Sequence, residues 1–276
     1  SIYTITRGSG LTTGSIISFY NSSTTTITNI KFNGNNVSSN KPLLISSVSA
    51  TVNLNSGVTI QNALNTAAYS AGGFSALSSS TLNINGATIT SNKSNNQGAG
   101  LYINTATLNF NSGTISNNSF TTTSGYGAGI LGWQATVNIK GGTISGNTAT
   151  ADGGGIWVGG NSGKMTFNMT AGTITGNKAY FGGGISIRSD TTATKTIGTI
   201  SGGTISSNNA SHGGGGVNLG KSVVTINNIN ITSNNAQWGA GISITYGATL
   251  YFKGGTVQNN IASSSAAGID VGSGTE

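Results

Sequence analysis

Cysteine is absent from this sequence, proline and histidine each occur once, and among 276 residues only Asp152, Asp190, Asp270 and Glu276 are acidic. Without cysteine there are no disulfides and no thiolate metal sites, and neither redox compartment is excluded. Charged residues make up 5% of the chain, against about 25% in ordinary soluble domains, so acid–base and metal chemistry have few parts. No stretch approaches the roughly 18 consecutive apolar residues of a membrane helix. No basic segment followed by an apolar one opens the chain, so an exported protein is expected to have lost its signal or to carry it outside this sequence.

What fills the chain is glycine, 45 residues of it, together with serine, threonine and asparagine. This composition favours strands and turns over helices. It also repeats. A turn-and-strand landmark recurs as GATITSN from Gly86, SGTISNN from Ser112, GGTISGN from Gly141, AGTITGN from Ala171, GGTISSN from Gly202 and GGTVQNN from Gly254. Its central apolar residues run from Ile60 through Ile89, Ile115, Ile144, Ile174, Ile205 and Ile231 to Val257, at intervals of 26 to 31 residues. Three residues after the centre stands Asn92, Asn118, Asn147, Asn177, Asn208, Asn234 or Asn260. After a variable loop comes a second landmark, such as GAGLYI from Gly98, GGGIWV from Gly153 or GAGISI from Gly239.

Each period thus holds three short strands of types x-L-N-I-N, T-I-S and G-I-S-I, none able to bury its inner face alone. Stacking periods at about 4.8 Å pairs each strand with its copies above and below. The expectation is an all-β, single-stranded parallel β-helix with three strands per coil, about 28 residues per coil and about nine coils. Parallel crossovers are overwhelmingly right-handed, so right-handed coiling is expected. The asparagines are expected to form a hydrogen-bonded ladder from coil to coil. The chain reads as one domain over 1–276, with an irregular strand or cap region at 1–27, degenerate coils at 28–79 and regular coils at 80–276.

The pair I-S-G-N-T-A and G-G-G-I over residues 144–156, with its copy from Ile174, resembles the F-x-x-N and G-G-A-I repeats of the polymorphic outer-membrane-protein family. Related repeats occur in adhesin-like bacterial and archaeal surface proteins. The resemblance spans roughly 80–276 and is fainter over 28–79. Ile or Val stands where the family prefers Phe, which survives at Phe32. The resemblance implies export, a β-helical passenger, and adhesion or surface coating, without implying a reaction.

Several local signals compete with that reading. GGVNLGKS at 215–222 fits the phosphate-cradling G-x-x-x-x-G-K-[ST] pattern, but the alternating SVVTINNINIT that follows reads as a strand where a nucleotide site needs a helix. It is one more G-G-G-I copy. β-Helical polysaccharide lyases and hydrolases need converging carboxylates, and Asp152, Asp190 and Asp270 are expected to stand too far apart. Arg188 and Asp190 read as a local surface pair, and His212 as a solvated corner residue with no acidic partner near it in the repeat. Lysines such as Lys93, Lys140, Lys178 and Lys253 give most of the net charge of +7. They are scattered, unlike a nucleic-acid surface, and suit either solubility or anionic glycans.

Two surfaces remain as candidates. On the outward side of the third strand type lie Tyr102, Leu131, Trp133 and Trp157, with Tyr126, Phe181 and Trp238 in the corners just before it. These rings form either an exposed platform for sugars or proteins, or a secondary core beneath loops such as SFTTTSGYG from Ser119. Along the T-I-S strands, Thr88, Thr90, Thr114, Thr143, Thr173, Thr175 and Thr204, with Ser116, Ser145 and Ser206, make a two-file hydroxyl array that resembles ice-binding solenoids, interrupted at Asn230 and Gln258. The expected function is a non-catalytic extracellular or cell-surface structural β-helix, an adhesin stalk or a subunit of a head-to-tail filament. Its partners would be further copies of itself, further coils of a longer chain, or cell-surface glycans. A glycan- or ice-binding solenoid is the alternative and a polysaccharide lyase or hydrolase comes third. No cofactor, metal or nucleic acid is expected.

Overall fold

The computed structural model describes residues 2–163, 165–191 and 194–272; Glu276 and the three residues before it lie outside them. The described residues contain strands and turns and no helix. All strand pairs are parallel and each joins one coil to the next, as the repeat requires. The G-I-S-I strands form a ten-stranded sheet from Ile17–Phe19 to Ile269–Val271, so the stack has ten coils where about nine are expected. The x-L-N-I-N and T-I-S strands form the other two faces, fused where Thr81–Thr90 and Thr107–Ser116 run through both. A fourth ribbon of two-residue strands, such as Lys178–Ala179 and Asn209–Ala210, follows the ladder asparagines.

Side chains alternate across each strand, so the apolar positions of all three faces meet along one axis. Ile60, Ile89, Ile115, Ile144, Ile174, Ile205 and Ile231 stack in register and are at most 1% exposed. Coil lengths vary, from 25 residues between Val217 and Ile242 to 32 between Ile185 and Val217, yet the registers match because the loops absorb the difference. The segment before residue 28 lacks the sequence landmarks but carries strands all the same. Tyr3–Thr6 pairs with Ile30–Asn33, Ile17–Phe19 with Leu44–Ser46, and Thr24–Ile27 with the strand that begins at Thr51. Arg7 is buried at this end and its guanidinium donates to the carbonyls of Gly14 and Pro42. The apolar files open to solvent at Ile5 in the first coil and at Phe252 and Ile269 in the last.

The two landmarks turn out to be one device. Asn147 Nδ2 donates to Asn177 Oδ1 at 2.9 Å and to the Ile115 carbonyl at 3.0 Å, and the same pattern runs from Asn92 to Asn260. The third glycine of G-G-G-I packs on that ladder. A Cβ on Gly155 would stand 2.6 Å from the Gly184 carbonyl and 3.2 Å from Asn177 Nδ2. Asparagine inside and glycine at the corner are therefore needed together.

Candidate functional site

Each G-G-G-I corner opens with a glycine at positive φ, as at Gly153 with φ 70°, and the residue before it projects from the corner. Parallel bridges join Gln97 to Tyr126, Asp152 to Phe181 and Gly213 to Trp238. Backbone bonds from Gly127 N to the Asp152 carbonyl and from Gly182 N to the Gly213 carbonyl connect those pairs into one file along the axis.

The outward third-strand residues beside that file divide into a buried and an open set. Tyr102, Leu131 and Trp157 are at most 3% exposed, so the corner loops cover the patch and turn it into a secondary core. Burial raises the Tyr102 phenol to about 12. Trp133 stays half-buried and stacks on Trp157, with centroids 5.7 Å apart and planes within 13°. Tyr126, 40% exposed, meets Trp157 edge-on at 6.0 Å. Together they wall a cleft of about 420 Å³, completed by Tyr69, Gln97, Asp152, Arg188 and Asp190.

Glycines beside this cleft leave room for its large side chains. Trp133, Gly159, Arg188 and Gly220 are register neighbours on successive coils, so each large side chain has a bare glycine beside it. A Cβ on Gly159 would lie 1.7 Å from the Arg188 carbonyl and 2.8 Å from the Trp157 ring. The Arg188 side chain lies over Gly220 and reaches Asp152, Nη1 to Oδ2 at 3.5 Å, and its guanidinium carbon stands 4.9 Å from the centre of the Tyr246 ring. Asp152 is 5% exposed. Burial pushes its carboxyl up to about 6, against the opposing pull of Arg188 and with some help from Asp190. Burial also raises the Tyr126 phenol, and Asp152 adds to it.

Three sequence expectations are corrected here. Asp152 and Asp190 line the same cleft although 38 residue numbers separate them, because the intervening chain makes a full coil and returns. Arg188 forms its ion pair with Asp152 across a coil and not with Asp190 beside it. His212 is not a lone solvated ring: Tyr180 hydroxyl and His212 Nε2 are hydrogen-bonded, the two rings lie 3.6 Å apart, and Trp238 approaches edge-on at 5.4 Å. Phe181 completes this second aromatic cluster, 5.7 Å from His212 and 6.4 Å from Trp238. Asp270 remains apart, accepting from Ser265 at 2.8 Å. The lysines Lys93, Lys140, Lys178 and Lys253 are exposed on separate coils. The P-loop-like segment enters the strand Val217–Gly220, with Ser222–Ile226 after it and no helix.

Polar atoms at the cleft are left over. Trp157 Nε1, Asn96 Oδ1 and Gln97 Oε1 are buried with no hydrogen-bond partner among the described residues. Buried polar groups normally find a partner, and these three do not among the described residues. Among the described residues no group of three or more His, Cys, Asp or Glu comes together as a metal site.

The hydroxyl files of the T-I-S face are in register. Thr88, Thr114, Thr143, Thr173 and Thr204 stack along one line, and Thr90, Ser116, Ser145, Thr175 and Ser206 along the other. Some hydroxyls bond each other, as Ser116 does to Thr90 at 3.1 Å and Ser206 to Thr175 at 3.2 Å. A second asparagine ladder, unforeseen from the sequence, runs outside on the x-L-N-I-N face. Asn83, Asn109, Asn138 and Asn168 each donate back to the preceding coil, the first of them to Asn53, at 2.8 to 2.9 Å. The N in every L-N-I strand was its visible signal.

Comparison of the chain with protein-family models, with curated proteins and with solved structures gives no match.

Proposed function

We propose that this β-solenoid is a carbohydrate-binding protein of the adhesin-like, extracellular or cell-surface kind, and that the Trp133 cleft is its sugar site. The observation that carries the reading is the stacked Trp133–Trp157 pair opening onto a cleft whose neighbouring polar atoms lack partners. An aromatic face takes the apolar face of a sugar ring, while convergent amide, indole and carboxyl groups take its hydroxyls. The motif resemblance to surface-protein repeats supports placement outside the cell. The pairing of Asp152 with Arg188 supports recognition over chemistry, since the carboxylate is already engaged.

The test is a glycan-array screen followed by calorimetry on wild type and Trp133→Ala. Loss of the platform is expected to weaken binding about threefold to tenfold, from a stacking contribution of about 0.5–1.5 kcal/mol. Unchanged affinity in a folded variant, or no glycan bound by the wild type, refutes the reading.

A second reading, a glycan-cleaving enzyme, is favoured by one observation. Asp152 is held protonated to about pH 6 in a cleft it shares with Asp190, and perturbed carboxyls gather at catalytic sites. Appearance of reducing ends or unsaturated products from a bound glycan, abolished in Asp152→Asn, would establish it.

The proposal also has a second copy of the chain stack on the last described coil. Val271 and Ile261 are 76% and 66% exposed on the last coil, and an unpaired strand edge invites another strand. Light scattering and electron microscopy over a concentration series test this; a concentration-independent monomer sinks it.

A further inference from the structure

We infer that the ligand is a neutral, extended, linear polysaccharide lying parallel to the coil axis, held at a second platform formed by Phe181 and Trp238. The inference rests on the sugar-binding reading of the Trp133 cleft and identifies the class of glycan bound there.

The argument is geometric. The corner file Gln97, Tyr126, Asp152, Phe181, Gly213, Trp238 is continuous from coil to coil. It presents a ring in the cleft at Tyr126, polar groups at the Asp152 coil, then rings again at Phe181 and Trp238. From the Tyr126 coil to the Trp238 coil is four steps, about 19 Å at roughly 4.8 Å per coil. A single sugar cannot touch both ends, but an extended pyranose chain, whose repeat is close to the coil spacing, spans them with about one ring per coil.

The distal cluster is built as well. Phe181, His212 and Trp238 are all half-buried, so part of each ring faces outward. His212 Nδ1 is buried without a partner among the described residues, while Nε2 is already bonded to Tyr180. This second aromatic cluster thus repeats the features of the first, rings beside an unmatched polar atom. Gly213 stands between Phe181 and Trp238 in the file, within the second platform, and lets the Trp238 indole lie over it. A Cβ there would come 2.6 Å from Trp238 Nε1.

Charge sets the class. Between the platforms stand Asp152, Asp190 and Arg188, and the guanidinium is already taken by Asp152 and the Tyr246 ring. Arg188 is the one cation among the residues lining the cleft and is already paired, so a uronic acid chain would bring its carboxylates against Asp190 there. Neutral hydroxyl-rich rings meet no such repulsion.

The experiment titrates the full chain with cello-, manno- and chito-oligosaccharides from disaccharide to heptasaccharide, and with oligogalacturonates of the same lengths. Affinity for one neutral series is expected to rise to about five units and then level, one ring per coil of the path. Trp238→Ala is expected to remove about threefold to tenfold of the long-chain affinity while leaving the disaccharide unchanged. Binding of short sugars with no gain on lengthening, or preference for the galacturonates, overturns the inference and leaves the cleft reading standing. Failure of wild type to bind any oligosaccharide overturns both. The wild-type length series is decisive even if Trp238→Ala does not fold.

Discussion

Replacing Asn147 by alanine tests whether the inner ladder holds the coils together. Asn147 Oδ1 accepts from the backbone N and from Nδ2 of Asn118, at 3.0 and 2.9 Å, and Asn147 Nδ2 donates to the Ile115 carbonyl at 3.0 Å. Truncation removes the partner of the Asn118 backbone N–H and of the Ile115 carbonyl in a fully buried place, while Asn118 Nδ2 keeps the Ile89 carbonyl at 3.2 Å and Asn177 Oδ1 keeps the Asn147 backbone N–H at 3.0 Å. Each orphaned buried group costs about 1–3 kcal/mol, so the loss for two is about 2–6 kcal/mol. The control is Asn138→Ala on the outer ladder. It breaks two bonds of the same kind, to Asn109 and from Asn168, both 2.9 Å. Water reaches those half-buried groups, so the expected loss is only about 0.5–1.5 kcal/mol. Urea denaturation of wild type and both variants gives the ratio, and amide exchange at Asn118 reports whether the defect is local. Losses equal within about 0.5 kcal/mol would refute the claim that burial, not bond count, decides what a ladder contributes.

Asp152 makes stability depend on pH. Its carboxyl is raised from 3.8 to about 6, so the folded state holds the proton more tightly, and that contribution is full below pH 3.8 and lost as pH rises through 6. Relative to Asp152→Asn, the wild type is expected to lose up to about 3 kcal/mol across that window; denaturation of both proteins from acid to neutral pH checks it, and a difference flat with pH refutes it. Gly155→Ala places a Cβ 2.6 Å from the Gly184 carbonyl, whereas Gly8→Ala meets nothing within 4 Å. The first is expected to destabilise by about 1–3 kcal/mol or more and the second by less than about 0.5 kcal/mol, measured by urea midpoints. If the T-I-S hydroxyl files bind ice, thermal hysteresis appears at micromolar protein and falls in Thr143→Leu; its absence in the wild type ends that alternative.

How far the sequence reached follows from which interactions were periodic. Stacked coils repeat their chemistry, so the register of Ile89 on Ile115 on Ile144, the strand types and the ladder from Asn92 to Asn260 were legible as recurring letters at a recurring interval. The short corner ribbon was less visible, because two-residue strands carry too little alternation to stand out. The site is where periodicity stops. Arg188 and Asp152 belong to different coils, and the glycines that flank Arg188 in register are not part of the repeat. The covering of Tyr102 and Trp157, while Trp133 stays open, likewise depends on loops of unequal length. The sequence by itself determined the solenoid, because identical neighbours a coil apart must satisfy one another. Only the tertiary structure decided the cleft, because it is made of the few residues that differ from the repeat and of the space left between them.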